Sequence, residues 1–190
     1  MKKYVTLTIL VLAMLVSACT TKPKAEAWLT KGTKVNLPTP NLQQNYHDQQ
    51  LLKFKYKNQE NSLITLVDVN QNQLKVIGLT ALGIRLFAIE YDGQHIKTKQ
   101  NIFVKELPAP QQVLSDIMLS ILPTQQWQVV LPEGWQLIDN QLHRKLLNEK
   151  QETIIDITYK ENPSPQIRKP IYIVHNIFGY QIDIQSMEAQ

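Results

Sequence analysis

The sequence predicts a mainly β domain of the α+β class, with about ten or eleven antiparallel strands and one helix. Short runs of alternating apolar and polar residues follow one another at the spacing of β-hairpins. One amphipathic segment between two prolines interrupts this series, and the alternating runs then resume. The chain shows no strand–helix–strand rhythm, which argues against a parallel sheet.

The predicted helix spans Pro110 to Leu122. Proline is tolerated in a first helical turn, and Pro123 ends the segment. The apolar side chains at helical spacing are Val113, Leu114, Ile117, Met118, Ile121 and Leu122, and the opposite face carries Gln111, Gln112, Ser115, Asp116 and Ser120. A single amphipathic helix beside an antiparallel sheet must bury its apolar stripe against that sheet. The sheet therefore curves around the helix, or the helix covers a groove.

The predicted strands are joined by short turns. The strands lie at 52–56, 63–69, 74–79, 84–91, 95–104, 127–131, 135–138, 142–147, 152–159, 171–175 and 178–186. Asp92-Gly93 is a strong hairpin signal, and Asn70 and Asp139-Asn140 suit tight turns because they tolerate left-handed backbone. Several strands are apolar on both faces, which requires cover on both or an enclosed cavity. The sequence leaves a cavity and a packed core open.

The N-terminus has the pattern of a bacterial lipoprotein signal. Lys2 and Lys3 precede an apolar run of signal-peptide length, which is short for a membrane span. Cys19, the single cysteine of the chain, follows small residues that resemble a lipobox, and an ordinary secretory signal is the weaker alternative. We therefore expect a signal peptide at 1–18, a lipid-anchored flexible tether at 19–45 and a folded domain at 46–190. Thr20 after the cysteine resembles outer-membrane sorting, so we expect a lipid-anchored protein of the bacterial outer membrane that faces the periplasm.

Composition and motifs favour a binding protein over an enzyme. The formal charge of +4 is too small to argue for nucleic acid. No serine-nucleophile, zinc-protease, metal-binding or phosphate-loop motif is present, and the four histidines are widely scattered. We expect no catalytic residues, no metal and no cofactor. Arg85 and Arg144 either close salt bridges or meet an anionic headgroup, and the structural role is the favoured interpretation.

A groove under the helix would draw on a defined set of side chains. The candidates for its lining are Leu114, Ile117, Met118, Ile121, Phe87, Trp127 and Trp135. For the two tryptophans, core packing is the favoured interpretation and cavity lining the alternative. Leu82 is the candidate for contact with a membrane or a partner, although burial of this side chain is the favoured interpretation.

Residues 78–186 resemble a family of uncharacterised bacterial lipoproteins. The resemblance rests on the segments 82–87, 91–93 and 131–135, on Arg144, and on the closing segment 179–182. Members are encoded in gene clusters for aryl polyene pigments, which are lipid-like polyenes of the outer membrane. The Leu-Gly segment, the Asp-Gly hairpin and the proline-bounded helix are also similar to the lipoprotein receptor LolB. That similarity implies a LolA/LolB-like half-barrel, open and antiparallel, with a helical lid over an apolar cavity.

Two functions follow as hypotheses. In the first, an outer-membrane lipoprotein binds an acyl chain or polyene lipid in an apolar groove and takes part in lipoprotein or aryl polyene lipid transfer. In the second, the domain binds no ligand and organises a periplasmic or outer-membrane assembly. A cavity lined by aliphatic side chains favours the first, and a closed interior with a large exposed apolar patch favours the second.

Overall fold

The computed structural model describes residues 25–101, 108–161 and 168–187. Within these ranges the chain forms twelve strands and two helices. They are β1 (Glu26–Trp28), β2 (Lys34–Asn36), β3 (Tyr46–Tyr56), β4 (Gln59–Val69), β5 (Leu74–Leu79), β6 (Arg85–Tyr91), β7 (Ile96–Gln100), α1 (Pro110–Ile121), α2 (Thr124–Gln128), β8 (Gln136–Asp139), β9 (His143–Leu147), β10 (Thr153–Tyr159), β11 (Pro170–His175) and β12 (Tyr180–Ser186).

Ten of these strands form one antiparallel sheet. Its order is β7-β6-β5-β4-β3-β12-β11-β10-β9-β8, so it consists of two five-stranded meanders joined where β3 pairs with β12. The first and last strands of this order do not pair with each other, and the sheet therefore stays open instead of closing into a barrel. The predicted mainly β class with an open antiparallel sheet and few helices is confirmed.

Asparagine and aspartate side chains fix the hairpin turns. Asp92 Oδ1 accepts hydrogen bonds from the backbone N–H groups of Gln94 at 2.9 Å and His95 at 2.6 Å, next to Gly93 at φ +88°. Asn70 and Asn140 make the same kind of turn with the backbone two and three residues further on. The turn positions predicted from the sequence are confirmed because these side chains replace the missing backbone partners.

Strand β4, near the middle of one meander, is buried on one face only. On β4 the side chains of Leu63, Val67 and Val69 are buried, whereas those of Ile64 and Leu66 on the other face are half-buried. The buried face looks toward α1 and is called the inner face below. Apolar residues on both faces of β4 therefore do not mean that both faces are fully buried.

Helix α1 forms close to where the sequence predicts it. Leu114, Met118 and Leu119 are fully buried, as expected for a helix enclosed by a sheet. Ser115, Asp116 and Ser120 are buried as well, so the polar face predicted from helical spacing is wrong for these three residues. The reason is that β1 packs against the helix in addition to the main sheet, so that more than one face of the helix is covered.

The segment from residue 25 onward is part of the domain. Strands β1 and β2 pair as a hairpin, and Leu29, Val35 and Leu37 are buried in the core. Tyr91 Oη donates to the Leu37 carbonyl at 2.9 Å. The flexible tether predicted over 19–45 is therefore wrong for residues 25–45, where strands of three residues are too short to show a clear alternation. Cys19 and the predicted signal peptide lie outside the described residues.

The strand predicted at 127–131 is wrong. Residues Thr124–Gln128 form helix α2 after Pro123, which suits a helix start. Trp127 is fully buried, and its Nε1–H donates to the Met118 carbonyl at 3.2 Å. Burying this ring against α1 outweighs the strand preference of tryptophan and valine, and Val129 is left 83% exposed.

Candidate functional site

An apolar cleft lies between helix α1 and the inner face of the sheet. Its walls come from β3, β4, β6, β11 and β12 on one side and from α1 on the other. The cleft has a volume of about 100 Å³. The lining residues are Tyr46, Gln50, Leu52, Phe54, Asn61, Leu63, Thr65, Val67, Phe87, Pro108, Val113, Asp116, Ile117, Ser120, Ile121, Pro170, Ile173, Ile182 and Ile184. Most of this surface is aliphatic or aromatic, which suits a hydrocarbon chain.

The helix presents one of its two apolar stripes to the cleft. Val113, Ile117 and Ile121 line it, and they follow one another four residues apart. Leu114 and Met118, one residue further along, are fully buried in the core and do not line the cleft. Helical spacing alone cannot separate the two stripes, since both repeat every four residues.

The predicted groove residues are therefore only partly brought together. Phe87, Ile117 and Ile121 line the cleft. Trp127 is buried against α1, and half-buried Trp135 packs against the core outside the cleft. For both tryptophans the structure agrees with the packing interpretation.

Phe87 reaches the cleft because its cross-strand neighbour is a glycine. Gly78 pairs with Phe87 in the β5–β6 register. A Cβ atom on Gly78 would stand 2.3 Å from the Phe87 ring, closer than real carbon atoms approach. The missing side chain of Gly78 thus leaves the space that the ring occupies.

A cluster of three polar side chains ties the first turn and the middle of α1 to the sheet. Tyr180 Oη donates to Asp116 Oδ2 at 2.6 Å, and Gln112 Nε2 donates to Asp116 Oδ1 at 3.1 Å and contacts Tyr180 Oη at 3.2 Å. Burial raises the pKa of Asp116 to about 7, although these hydrogen bonds lower it. Burial and the charge of Asp116 raise the pKa of Tyr180. Sequence reasoning missed this tie because Asp116 lies on the face expected to meet water.

A buried histidine lies behind Tyr180. The ring of His175 is fully buried, with centroids 4.4 Å from Phe178 and 5.0 Å from Tyr180. Burial lowers its pKa to about 4. His175 is therefore neutral at pH 7, as expected for an imidazole among aromatic rings.

The C-terminal end of α1 is anchored more firmly. Arg144 Nη1 donates to the carbonyls of Leu119 at 2.6 Å and Leu122 at 2.7 Å, and Tyr159 Oη donates to the Ser120 carbonyl at 2.7 Å. Two side chains from the sheet thus satisfy carbonyls that a helix end leaves without partners. Arg144 has the structural role favoured from the sequence, and exposed Arg85 bonds Asn101 at 3.2 Å.

Two wider depressions adjoin the cleft. The one beside the N-terminus of α1, here called the aromatic basin, measures about 1090 Å³. Its lining includes Trp28, Phe54, Tyr56, Phe178 and Tyr180, together with Lys31 and Lys57. Phe54 and Pro108 line both the basin and the cleft, so the two spaces are neighbours.

The second depression, here called the arginine pocket, lies at the C-terminal end of α1 and measures about 420 Å³. Its lining comprises Leu42, Gln43, Gln44, Tyr46, Ser120, Ile121, Pro123, Asp139, Arg144 and Arg168. Tyr46, Ser120 and Ile121 also line the cleft. The cleft is thus flanked by an aromatic, lysine-bearing space at one end and an arginine-bearing space at the other.

Leu82 stands on the surface in the turn between β5 and β6. Its side chain is 87% exposed, and that of Ile84 is 53% exposed. The turn contains Gly83 at φ +78°, and Thr80 holds it by a hydrogen bond from the Ile84 backbone N–H at 3.1 Å. The favoured interpretation that Leu82 is buried is wrong, because the turn carries this side chain away from the sheet.

Within residues 25–101, 108–161 and 168–187, no group of His, Cys, Asp and Glu side chains is arranged to hold a metal ion. The helices found in those same ranges are too short and too polar to span a bilayer.

The chain matches a family model and is similar in fold to solved structures. Residues 47–188 match the model of a family of proteins of unknown function, DUF3261. No curated protein matches the chain. A crystal structure from Vibrio parahaemolyticus, of a domain whose description relates it to outer membrane lipoprotein sorting, is similar at a TM-score of 0.44 and 7% identity, and the likeness covers 76% of this chain and 83% of that one.

Proposed function

The chain belongs to the DUF3261 family of proteins of unknown function, and we propose that it binds an acylated or polyene lipid-like ligand in its apolar cleft. The observation that carries this proposal is the lining of the cleft, in which aliphatic and aromatic side chains of five strands face one apolar stripe of α1. Such a surface gains free energy when a hydrocarbon chain replaces water. We propose a binding role and no catalytic one.

Ligand entry requires a movement of α1. Clefts that hold drug-sized ligands measure roughly 300–1,000 Å³, whereas this cleft measures about 100 Å³. The C-terminal end of α1 is held by Arg144 and Tyr159. The polar tie of the N-terminal half consists of Asp116 with Gln112 and Tyr180. We therefore propose that α1 opens at its N-terminal end, toward the aromatic basin.

The sequence resemblance suggests the finer setting of this function. We propose that Cys19 carries the lipid anchor, that the protein is held at the outer membrane facing the periplasm, and that its ligand is a lipoprotein acyl chain or an aryl polyene lipid on its way to that membrane. The support is the lipobox-like sequence around Cys19 and the resemblance of residues 78–186 to lipoproteins of aryl polyene gene clusters.

Filling the cleft tests the proposal. Ile117→Trp places an indole where Ile117 now lines the cleft, and it is expected to weaken binding of a fluorescent fatty acid by tenfold or more. A chain that buries roughly 300 Å² gains on the order of 7 kcal/mol before ordering costs, so low-micromolar affinity is the tightest binding expected for the unaltered protein. Fluorescence titration gives the dissociation constants of the unaltered protein and of Ile117→Trp, and circular dichroism checks that the variant is folded.

Val129→Trp is the matched control, because Val129 is 83% exposed and does not line the cleft. It should leave the affinity unchanged. A folded, monodisperse protein that binds no fatty acid and releases no lipid on extraction overturns the proposal and leaves the scaffold function in its place.

Leu82 provides a second test, directed at the membrane. We propose that the exposed Leu82 and Ile84 side chains insert into the lipid interface when the protein meets a membrane. Leu82→Glu should reduce co-sedimentation of the Cys19→Ala protein with phospholipid vesicles at least fivefold. Val129→Glu, which adds the same charge at another exposed apolar position, should not. Equal loss in the two variants would show that Leu82 has no special part in membrane contact.

A further inference from the structure

The arginine pocket holds more positive than negative charge. Arg144 is 4% exposed, and its Nη2 donates to Asp139 Oδ2 at 2.7 Å. Arg168 donates to the other oxygen of the same carboxylate. Burial raises the pKa of Asp139, but the hydrogen bonds and charges of the two arginines outweigh burial, and the pKa lies below its usual range. Two cations thus share one anion, and the lining among the described residues contains no second acid.

The guanidinium groups of Arg144 and Arg168 each have one N–H group without an acceptor among the described residues. Within the described part of the chain, the Nε atoms of Arg144 and Arg168 are buried and have no hydrogen-bond partner. The other donors of Arg168 reach the carbonyls of Asn140 at 2.6 Å and Gln141 at 3.3 Å, and its guanidinium lies 3.5 Å over the Tyr159 ring. A buried donor without an acceptor destabilises the protein, so an acceptor that reaches it would be stabilised there.

The pocket continues the apolar cleft. Tyr46, Ser120 and Ile121 line both spaces. A molecule whose chain lies in the cleft with its headgroup at the Tyr46 and Ser120 end therefore places that headgroup next to Arg144 and Arg168. A guanidinium donates paired hydrogen bonds to phosphate and carboxylate oxygens, and the surplus positive charge favours an anion over an uncharged group.

We infer that the arginine pocket binds the anionic headgroup, a phosphate or a carboxylate, of an amphiphile whose chain occupies the cleft. This inference rests on the proposed function, since it requires the cleft to hold the chain. It adds the chemical class of the ligand: an anionic amphiphile is selected over a neutral one of equal chain length.

The experiment compares two amphiphiles with the same chain, decyl phosphate and decanol, together with inorganic phosphate. Isothermal titration of the purified Cys19→Ala protein is expected to show at least tenfold tighter binding of decyl phosphate than of decanol or of inorganic phosphate. Arg168→Gln should remove most of this preference while leaving decanol binding unchanged. Lys75→Gln removes one positive charge from an exposed position on β5 and should leave the preference intact.

The possible results separate this inference from the proposed function. Equal binding of decyl phosphate and decanol by the unaltered protein overturns the headgroup site and leaves the chain-binding cleft standing. Failure of both amphiphiles to bind overturns the cleft as well. Inorganic phosphate that binds as tightly as decyl phosphate also overturns the inference, because the anion site would then be independent of the chain. A loss of preference in Lys75→Gln equal to that in Arg168→Gln would assign the effect to net charge.

Discussion

Met118→Asp is expected to leave the domain unfolded at neutral pH. Met118 is fully buried on the core side of α1. Removing a buried methionine side chain costs about 2–5 kcal/mol, and an unpaired buried carboxylate adds further destabilisation. The total is comparable to the whole stability of a domain, about 5–15 kcal/mol. Circular dichroism and thermal unfolding of the purified variant measure the effect.

Gln111→Asp is the control on the same helix. Gln111 is exposed in the first turn, where a negative charge interacts favourably with the helix dipole. Its thermal midpoint should stay within a few degrees of that of the unaltered protein. If Met118→Asp melts at the same temperature as Gln111→Asp, the helix does not pack with this stripe in the core.

The second large effect is a pair of opposite pH dependences. The pKa of Asp116 is raised from its ordinary 3.8 to about 7, so the folded protein holds a proton that the unfolded chain releases. This group therefore stabilises the fold below pH 3.8, and the contribution of about 4 kcal/mol is lost as pH rises to 7. The pKa of His175 is lowered from 6.5 to about 4. Its contribution of about 3 kcal/mol is present above pH 6.5 and is lost as pH falls to 4.

The two slopes oppose each other between pH 4 and pH 6.5, and single variants should separate them. Relative to the unaltered protein, Asp116→Asn should gain about 3 kcal/mol of unfolding free energy on going from pH 4 to pH 7, since part of the total change lies outside this range. His175→Leu should lose about 3 kcal/mol, relative to the unaltered protein, over pH 4 to pH 6.5. Urea unfolding at four pH values supplies these differences, and all other titrating groups cancel in them. Profiles parallel to that of the unaltered protein would show that neither group has a shifted pKa in the fold.

Much of the fold could be predicted because its signals are local. Alternation marked most strands, Asp92 and Asn140 marked turns, and Pro110 marked the start of α1. The hairpin of β1 and β2 was missed because its strands have three residues each and are surrounded by polar sequence. Helix α2 was missed because Trp127 favours strands when judged alone, whereas its position is decided by contact with α1.

The site was harder to predict than the fold because it depends on how α1 is rotated. Both stripes of the helix are apolar, so the sequence could not decide between Ile117 and Met118 as the residue facing the cleft. The sequence predicted that Asp116 faces solvent, because it lies on the polar side of the helix. Its partner Tyr180 is brought to it only by the packing of β12. A structural role was favoured for Arg144 from the sequence, but its contact with α1 joins positions 22 and 25 residues apart and could not be located from local signals.

The junction of β3 and β12 has a consequence for the order in which the chain folds. All pairings in the ten-stranded sheet join strands that are consecutive in the chain, except the pairing of β3 with β12. The contact between Asp48 and Ser186 across the junction closes a loop of 138 residues. Loop-closure entropy makes such a pairing the costliest in the sheet, and contacts of high sequence separation slow folding. Each meander can form from its own hairpins. Until the junction forms, β3 and β12 each have one edge without a partner strand, and a strand of another chain can pair with that edge.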